Sequence, residues 1–527
     1  MDPMESYREA LAFFREREYG KALEAIGRIR ELVLRWPRLD LLEAYVYREQ
    51  GRYVSEICLL RGCLDGLDLE DSGERELAAE AWSLLGSAYY MLGAAVEAVA
   101  AFRESSRLEQ SPAKKRVECS NALFSATAVP DFSPEDFRHL YGEYRSLLEA
   151  MVPYPLKFYR HGRLRVGYLS ADFREHPLAD WLWPLLRYHD RQAFRLYCYA
   201  SNACDWVTGK MRGEVEEWRD ISACTDEEVA ALVRQDEIDL LFDLSGHTSG
   251  NRLGVMAYHP AAVQISGLGH MGSTGMDRIE YFWADRNCYG PSGAARDYFV
   301  ETVLHSLGCL ICYSPLRSMP DPAVAPCVER GSITFGCFNN FSKVTDEVFA
   351  LWAELLARVP GSRLVLKHRL FGSDEGVEYT LDRLHRAGLE ASRVELRGFS
   401  KDYLREYADI DIALDTYPYV GGVTTCEALY MGVPVIVFYG QRPGSRLGYT
   451  ILNNIGLEEL AASSGREYVD KAAALAGDRE LVAALHRNLR GMMQQSPLMD
   501  AEGYVKDAEA LYQKLWVRAW ISKGLGG

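Results

Sequence analysis

Apolar residues recur with two different periods along the chain. Over residues 1–112 they return about every three to four positions, which is the spacing of an amphipathic helix. From about residue 163, short continuous apolar runs such as RVGYLS and FRLYCYA alternate with segments of helical spacing. Continuous apolar runs of this kind are typical of parallel strands buried on both faces. The pattern therefore predicts an α-helical region followed by an α/β region.

The helical region contains a repeated unit. We expect repeats over 1–112 and a helical connector over 113–160. Small residues in such a unit let two helices approach while aromatic side chains fill the space between them. The repeats are expected to bind a protein or peptide along a groove. The alternatives are that they cap the rest of the chain or form the contact face of a homodimer. The tetratricopeptide positions are held by Trp82, Leu85, Gly86, Tyr89, Ala98 and Phe102, with weaker copies at Phe13, Tyr19, Ala22 and Ile26 and at Tyr47, Gly51 and Leu60.

The α/β region divides into two halves. Residues 315–330 hold four prolines and no regular period, so we place a linker there. Strand and helix patterns alternate on both sides of it, over 161–314 and over 331–527. Two doubly wound halves joined by a short linker predict the α/β GT-B fold, in which ligands bind in the crevice at the carboxyl ends of the strands.

The stretch 409–438 carries the clearest ligand-binding signal. It is expected to form a strand, a Gly-Gly loop, a short helix and a second strand, with Gly422 in the loop and Thr424 and Thr425 as N-cap residues. A glycine loop leading into a helix leaves backbone N–H groups at the positive end of the dipole, which suits a phosphate or diphosphate. Glu427, one turn into the helix, is placed to accept from a sugar or ribose hydroxyl. The alternative is an ordinary βαβ turn without a ligand.

The composition restricts the classes of partner. The formal net charge is −16, from 59 basic and 75 acidic residues, which argues against a nucleic acid or an anionic membrane as main partner. No apolar run approaches the ~18 residues of a membrane span, and the first residues do not form a signal-peptide pattern. The 12 cysteines are scattered, as expected for reduced thiols in a cytoplasmic protein. Cys309 and Cys312 are expected in a strand, without zinc.

Cationic and imidazole side chains follow predicted strand ends, where they reach the crevice. Lys343 stands between a strand and a helix. Its ammonium, with the N–H groups of Thr424 and Thr425, would offset the charge of a leaving diphosphate. His176 and His247 each follow a strand of the first half. Because imidazole titrates near neutral pH, both are candidates for proton transfer.

The role of several charged residues near these candidates can be interpreted in two ways. Asp172 and Asp243 either orient the histidines or cap strand ends. Asp409 and Asp411 form a DxD sequence, but they alternate with apolar residues at the entry of a strand, away from the crevice, so we predict no metal. The basic residues 367–369 either attract an anionic ligand or are solvated.

Several motifs occur together in the order and spacing of one enzyme family. They are RVGYLSADFREHP, DLSGHT, PAAVQISGLGHMGSTG, ITFGCFNNFSKVT, RVPGSRLVLK, DIALDTYPYVGGVTTCEALYMGVPV and GSRLGY. With repeats ahead of them, residues 160–519 resemble the SPINDLY and protein O-GlcNAc transferase family of glycosyltransferases. The resemblance implies an inverting, metal-independent transfer of a sugar from a nucleotide sugar to a Ser or Thr hydroxyl of a protein. It favours UDP-GlcNAc as the donor, with GDP-fucose as the main rival.

The resemblance also assigns individual residues. The family's phosphate-binding lysine falls on Lys343, and the amide side chain before it on Asn340. The candidate catalytic histidines fall on His176 and His247. A family histidine near the nucleobase falls on Tyr403, which would stack on the base. The other donor-side residues are Gly422, Thr424, Thr425, Glu427 and Arg446, and the acceptor side is the loop with Gly272, Ser273 and Thr274.

The family pattern is incomplete in the acceptor loop. Gly267, His270 and Met271 stand where the family has aromatic and proline residues, while Val423 and Ala428 replace a histidine and a ribose-binding aspartate. Two other functions therefore stay open: a GT-B enzyme that acts on a small molecule or glycan, and a repeat scaffold without activity. A small acceptor needs no peptide groove, and the intact lysine and threonine positions argue against lost activity.

Overall fold

The computed structural model describes residues 2–33, 35–290, 293, 295–305 and 308–522. The chain forms two compact units. The first contains Met1–Pro130, Phe338–Leu356 and Arg363–Lys401. The second contains Asp131–Cys337, Ala357–Ser362 and Asp402–Gly527. Among the described residues, no helix is both long and apolar enough to cross a membrane.

Helices come first and are followed by alternating strands and helices, as the apolar periods predict. In chain order the elements are α1 Pro3–Arg15, α2 Tyr19–Arg30, α3 Pro37–Glu49, α4 Tyr53–Leu64, α5 Ser72–Met91, α6 Ala95–Leu108, α7 Pro112–Ala126, α8 Pro134–Ser146, β1 Leu164–Ser170, α9 Ala179–Arg187, β2 Phe194–Ala200, α10 Trp206–Arg212, β3 Glu217–Asp220, α11 Asp226–Gln235, β4 Leu240–Asp243, α12 Leu253–Ala257, β5 Val263–Ser266, β6 Tyr281–Ala284, α13 Arg286–Tyr289, β7 Thr302–His305, α14 Cys327–Arg330, β8 Thr334–Cys337, α15 Asp346–Arg358, β9 Arg363–Lys367, α16 Asp374–Arg386, β10 Val394–Arg397, β11 Ile412–Leu414, α17 Val423–Tyr430, β12 Val435–Phe438, α18 Leu447–Asn454, β13 Ala461–Ala462, α19 Gly465–Gly477, α20 Arg479–Gln494 and α21 Ala501–Ser522.

The first unit begins with three helix hairpins, α1–α2, α3–α4 and α5–α6, followed by α7. The third hairpin shows why its sequence follows the repeat pattern. A Cβ at Gly86 would lie 2.7 Å from a ring carbon of Phe102, so only glycine allows α5 and α6 to approach this closely. The hairpin turns close through Gly51 and Gly93, with φ of 72° and 78°, a backbone region that favours glycine.

The first unit also holds the parallel strand pair β9 and β10, together with α16 and most of α15. Helix α16 packs on α4 of the second hairpin. The Glu375 carboxylate accepts hydrogen bonds from the backbone N–H groups of Val54 at 2.7 Å and Ser55 at 3.0 Å, and from the Ser55 hydroxyl. A carboxylate from α16 therefore caps the start of α4 and favours its dipole.

The second unit contains a seven-stranded parallel sheet in the order β3-β2-β1-β4-β5-β6-β7. All four residues of β4 and the last five of β1 are buried, in keeping with their continuous apolar sequence. The strand order reverses between β1 and β4, and ligands of doubly wound sheets bind at such a switch point. His176 follows β1 and His247 follows β4, so both histidines belong to loops at this point.

Strands β8, β11, β12 and β13 of the second unit also pair in parallel. The last helix, α21, contacts the seven-stranded sheet through a buried polar chain. His189 Nδ1 lies 3.0 Å from the Glu509 carboxylate, and its Nε2 lies 2.9 Å from the Tyr168 hydroxyl. Because the His189 side chain is fully buried, these bonds satisfy both ring nitrogens without water.

The expectation of a strand around Cys309 and Cys312 is wrong. No strand occurs between β7 and β8 in the described residues of that segment. The Leu310 N–H donates to the Asp285 carboxylate at 3.0 Å instead of joining a strand ladder. Both cysteines are buried free thiols.

Candidate functional site

The loop before α17 presents backbone N–H groups. The expectation that Thr424 and Thr425 are the N-cap residues is wrong, because the N-cap is Gly422 and α17 starts at Val423. The two threonines lie in the first turn instead. Within the described residues no side chain caps this helix, and the first N–H groups of any helix lack partners inside it. The N–H groups of Val423, Thr424 and Thr425 are therefore directed out of the helix start.

A tryptophan of helix α9, in the same unit, explains the glycine at this cap. Trp181 lies on α9, and a Cβ at Gly422 would stand 2.6 Å from Trp181 Cη2 and 3.0 Å from Leu447 Cδ2. The Asp415 carboxylate holds the loop ahead of it, accepting from the N–H groups of Thr416 at 2.8 Å and Gly421 at 2.7 Å. The turn is therefore fixed by packing on one side and by a carboxylate on the other.

Glu427 and Tyr403, both predicted donor-side residues, are in direct contact. The Tyr403 hydroxyl donates to the Glu427 carboxylate at 2.5 Å, and Arg317 donates to the Tyr403 hydroxyl at 3.1 Å. Burial raises the pKa of Glu427 to about 7, and the hydrogen bond from Tyr403 and the charge of Arg317 only partly oppose the shift. Burial likewise raises the pKa of Asp180. A carboxyl group that titrates near neutral pH therefore lies inside α17.

Lys343 and Asn340 lie in the first unit, on a single turn of 3-10 helix. Asn340 caps this turn, because its side-chain oxygen accepts from the Ser342 N–H at 3.2 Å. Lys343 is the last residue of the turn and is half-buried, three residues before the first acidic residue of α15. In the basic segment 367–369, Lys367 is buried and donates to the Gly398 carbonyl at 2.8 Å.

His176 is partly exposed in the loop after β1. Its Nδ1 lies 3.3 Å from the Leu178 N–H, which donates to it, and 3.8 Å from the Asp172 carboxylate. Burial lowers the pKa of His176, the charge of Asp172 opposes this shift, and the charge of Arg174 adds to it. Arg174 also donates to Asp172 at 3.1 Å. The imidazole therefore has a carboxylate and a guanidinium acting on it with opposite sign.

His247, in contrast, is 1% exposed. Its Nε2 lies 3.0 Å from the Thr274 carbonyl, and its ring meets those of Tyr144 and His270 edge-on at centroid distances of 5.0 and 5.7 Å. Burial lowers its pKa to about 3, so the ring is neutral at physiological pH. Asp243 accepts from the Gly246 N–H at 2.9 Å and thus caps the loop after β4.

A buried carboxylate accepts hydrogen bonds from the predicted acceptor loop. Glu301 is buried and accepts from the Ser273 hydroxyl at 2.6 Å, from the Thr274 N–H at 2.7 Å and from the Thr274 hydroxyl. Burial raises the pKa of Glu301, and these hydrogen bonds oppose the shift. Because the side chains of Ser273 and Thr274 are buried, Gly272 is the partly exposed member of the three.

Arg446 and the DxD residues have protein partners. Arg446 is 8% exposed and donates to the carbonyls of Asn287 at 2.7 Å and Gly440 at 2.9 Å. Asp411 accepts from the N–H groups of Cys327 and Thr334, and Asp409 pairs with Arg330. Across the described ranges, no group of three or more His, Cys, Asp or Glu side chains is arranged to hold a metal.

Comparison with known proteins decides the family. The model of Glycosyl transferase family 41 matches residues 147–303 and 327–508. The chain belongs to glycosyltransferase family 41. It is 34% identical over 390 residues to a Solanum lycopersicum protein named probable UDP-N-acetylglucosamine–peptide N-acetylglucosaminyltransferase SPINDLY, covering 72% of this chain and 41% of that protein. A SPINDLY protein of Arabidopsis thaliana is also 34% identical, over 361 residues, 67% of this chain and 39% of that protein. The chain thus spans about 41% of the length of the first of these curated relatives.

A solved structure extends the similarity to the whole chain. A point mutant of the Thermobaculum terrenum O-GlcNAc transferase matches with a TM-score of 0.86 at 27% sequence identity, covering 99% of both chains. The resemblance inferred from the motifs and the predicted GT-B fold class are therefore confirmed, and family 41 is a family of glycosyltransferases, as predicted.

Three charged residues next to the candidate site are not among the site residues predicted from the sequence. Glu301 and Arg317 bind predicted residues, but they stand in segments without a motif and meet their partners only in the folded chain. Asp415 lies within the stretch 409–438 and accepts from Gly421, beside the predicted Gly422. Helix α8 lies outside the matched family region and still contributes Tyr144 beside His247. A search for carboxylates near predicted N–H donors would have found Asp415, which is six residues from Gly421.

Proposed function

We propose that the chain is an inverting protein O-glycosyltransferase that moves N-acetylglucosamine from UDP-GlcNAc to a Ser or Thr hydroxyl. The observation that carries the proposal is the uncapped, glycine-initiated helix α17 in a chain of family 41. In the reaction the acceptor oxygen bonds to C1 of the sugar, the bond from C1 to the diphosphate oxygen breaks, and the hydroxyl proton passes to a base. The negative charge that develops on the diphosphate is the largest electrostatic demand.

The N–H groups of the first turn of α17 would take part of that charge, since they lack helical partners and lie at the positive end of the dipole. Lys343 supplies an ammonium for the same diphosphate, and Asn340 fixes the turn on which the lysine stands. Both assignments rest on the sequence pattern and on family membership.

Glu427 and Tyr403 are proposed to bind the nucleoside. Their 2.5 Å hydrogen bond sets the orientation of the phenol, which would stack on the base. The second oxygen of Glu427 would accept from a ribose hydroxyl. Arg446 would act indirectly, because its bonds to Asn287 and Gly440 connect the loop after β12 to α13.

His176 is proposed as the base. For Nε2 to accept the acceptor's proton, Nδ1 must carry the ring proton, so the ring has to turn Nδ1 away from the Leu178 N–H and toward Asp172. Exposure supports the choice of His176, since His176 is partly exposed and His247 is buried. His247 would then position the acceptor loop through the Thr274 carbonyl, with Gly272 beside the acceptor. The repeats would bind the acceptor protein, and no metal is proposed.

Mass spectrometry of acceptor proteins incubated with the chain and either UDP-GlcNAc or GDP-fucose tests the proposal. A gain of one N-acetylhexosamine with UDP-GlcNAc, lost in Lys343→Ala, is the expected result. A gain of one deoxyhexose with GDP-fucose would keep the reaction class and change the donor. Absence of transfer together with absence of UDP or GDP binding would leave the scaffold function. Transfer to a small saccharide that is unaffected by deletion of the repeats would favour the small-acceptor enzyme.

A further inference from the structure

The third repeat touches the turn that carries Lys343, and both belong to the first unit. Arg383 of α16 lies between them, with its side chain 4% exposed. Its Nη1 donates to the Leu92 carbonyl of the repeat at 3.0 Å, and its Nη2 donates to the Val344 carbonyl at 2.9 Å. Its Nε donates to the Asp346 carboxylate at 2.8 Å. One buried guanidinium thus joins the repeat to the residue that directly follows Lys343.

The repeat also meets this turn by direct packing. Gly93 has φ of 78°, and a Cβ there would lie 3.0 Å from the Val344 carbonyl oxygen and 3.3 Å from the Phe341 carbonyl oxygen. Phe341 begins the turn that ends at Lys343, and Val344 directly follows it. The backbone of the repeat therefore fits against the turn with no room for a methyl group.

Aromatic rings also pack around the Arg383 guanidinium. The Arg383 guanidinium lies 5.4 Å from the Phe341 ring centroid and 4.9 Å from that of Phe349. Tyr379 of α16 donates to the same Leu92 carbonyl at 3.3 Å. A planar guanidinium satisfies three acceptors at fixed angles while stacking on rings, which an ammonium cannot do.

We propose that Arg383 and the Leu92–Gly93 turn of the third repeat position Lys343, so that the repeats support binding of the donor diphosphate as well as any acceptor. Arg383 is a positioning residue in this arrangement, since it acts through the Lys343 turn. The inference rests on the proposed function through the role of Lys343. It predicts that a methyl group in a repeat, about 250 residues away in sequence, weakens donor binding with no acceptor present.

Calorimetric titration of the full chain with UDP, without acceptor, tests this. Gly93→Ala and Arg383→Lys are expected to raise the Kd for UDP by about tenfold or more, which corresponds to about 1.4 kcal/mol. Gly51→Ala is the matched control, because Gly51 closes the second repeat with φ of 72° and a Cβ there meets nothing nearer than Ser373 Oγ at 4.0 Å. Its Kd should stay within about twofold of wild type.

A double variant separates positioning from general damage. If the turn acts through Lys343, then adding Gly93→Ala to Lys343→Ala should weaken UDP binding no further. Additive losses in the double variant would overturn the inference. It would also be overturned if Gly93→Ala and Arg383→Lys kept the wild-type Kd for UDP while Lys343→Ala bound UDP more weakly. In both cases the proposed function would still stand. Unchanged binding by Lys343→Ala would overturn both. If Gly93→Ala does not fold, Arg383→Lys and its double variant with Lys343→Ala serve as the same test.

Discussion

Tyr403 donates a 2.5 Å hydrogen bond to Glu427, a carboxyl group that is 4% exposed inside α17. The hydroxyl of Tyr403 in turn accepts from Arg317 at 3.1 Å. Despite both partners, burial raises the pKa of Glu427 from 4.5 to about 7. The residue proposed to stack on the nucleobase is thus hydrogen-bonded to a carboxyl group whose charge changes near neutral pH.

The first prediction concerns the pH dependence of stability. A folded-state pKa above the unfolded value means that the stability contributed by protonated Glu427 is present below about pH 4.5 and is lost as pH rises through about 7. The loss amounts to about 3 kcal/mol for a shift of this size. Glu427→Gln cannot ionise at this position. The free energy of unfolding of Glu427→Gln, measured with denaturant, should therefore rise relative to that of wild type as the pH is raised from about 5 to about 8.

Glu458→Gln is the control for this comparison, because Glu458 is exposed and its substitution should follow the wild-type pH profile. Parallel profiles for wild type and Glu427→Gln would show that Glu427 keeps an ordinary pKa.

The second prediction concerns Glu301 beneath the acceptor loop. Glu301→Ala leaves the buried donors of Ser273 and Thr274 unpaired, at a cost of about 1–3 kcal/mol for each. We expect a lower thermal midpoint and a loss of transfer to protein that exceeds any loss of donor hydrolysis, since the loop is on the acceptor side. Asp297→Ala, an exposed change in the same segment, should leave both activities unchanged. Equal losses of transfer and hydrolysis would contradict the assignment.

Local sequence predicted the elements but not the partners that fix the site. The periodicity located α17 and the repeats because each depends on residues close in the chain. The cap of α17 was misplaced by two residues, because propensity favours threonine whereas the packing of Trp181 requires glycine at position 422. The burial of His247 was missed because Tyr144, far from it in sequence, covers the ring. Such pairings depend on tertiary contacts that no local pattern encodes.

The third prediction concerns the charge balance at His176. If neutral His176 is the base, the rate rises as pH rises through its pKa. The Asp172 carboxylate raises that pKa and the Arg174 guanidinium lowers it. Asp172→Asn should therefore move the acid limb of the kcat/KM profile to lower pH, with a lower maximum because orientation is lost. Arg174→Gln should move the limb to higher pH.

Arg187→Gln is a matched control, since Arg187 is an exposed arginine of α9 that pairs with Glu214. The position of its acid limb should equal that of wild type. Limbs that coincide for the Asp172 and Arg174 variants would assign the titration to another group.

The fourth prediction uses the contact between Trp181 and Gly422. Gly422→Ala places a methyl group 2.6 Å from Trp181 Cη2, and such overpacking costs about 1–3 kcal/mol. Because the clash lies at the cap of α17, the N–H groups proposed to bind diphosphate would shift, and the Kd for UDP should rise by about tenfold or more.

Trp181→Leu creates space, so adding it to Gly422→Ala should restore part of the affinity for UDP. Gly477→Ala, where a Cβ meets nothing within 4 Å, should bind UDP as wild type does. Wild-type affinity in Gly422→Ala would mean that the diphosphate does not depend on this helix start.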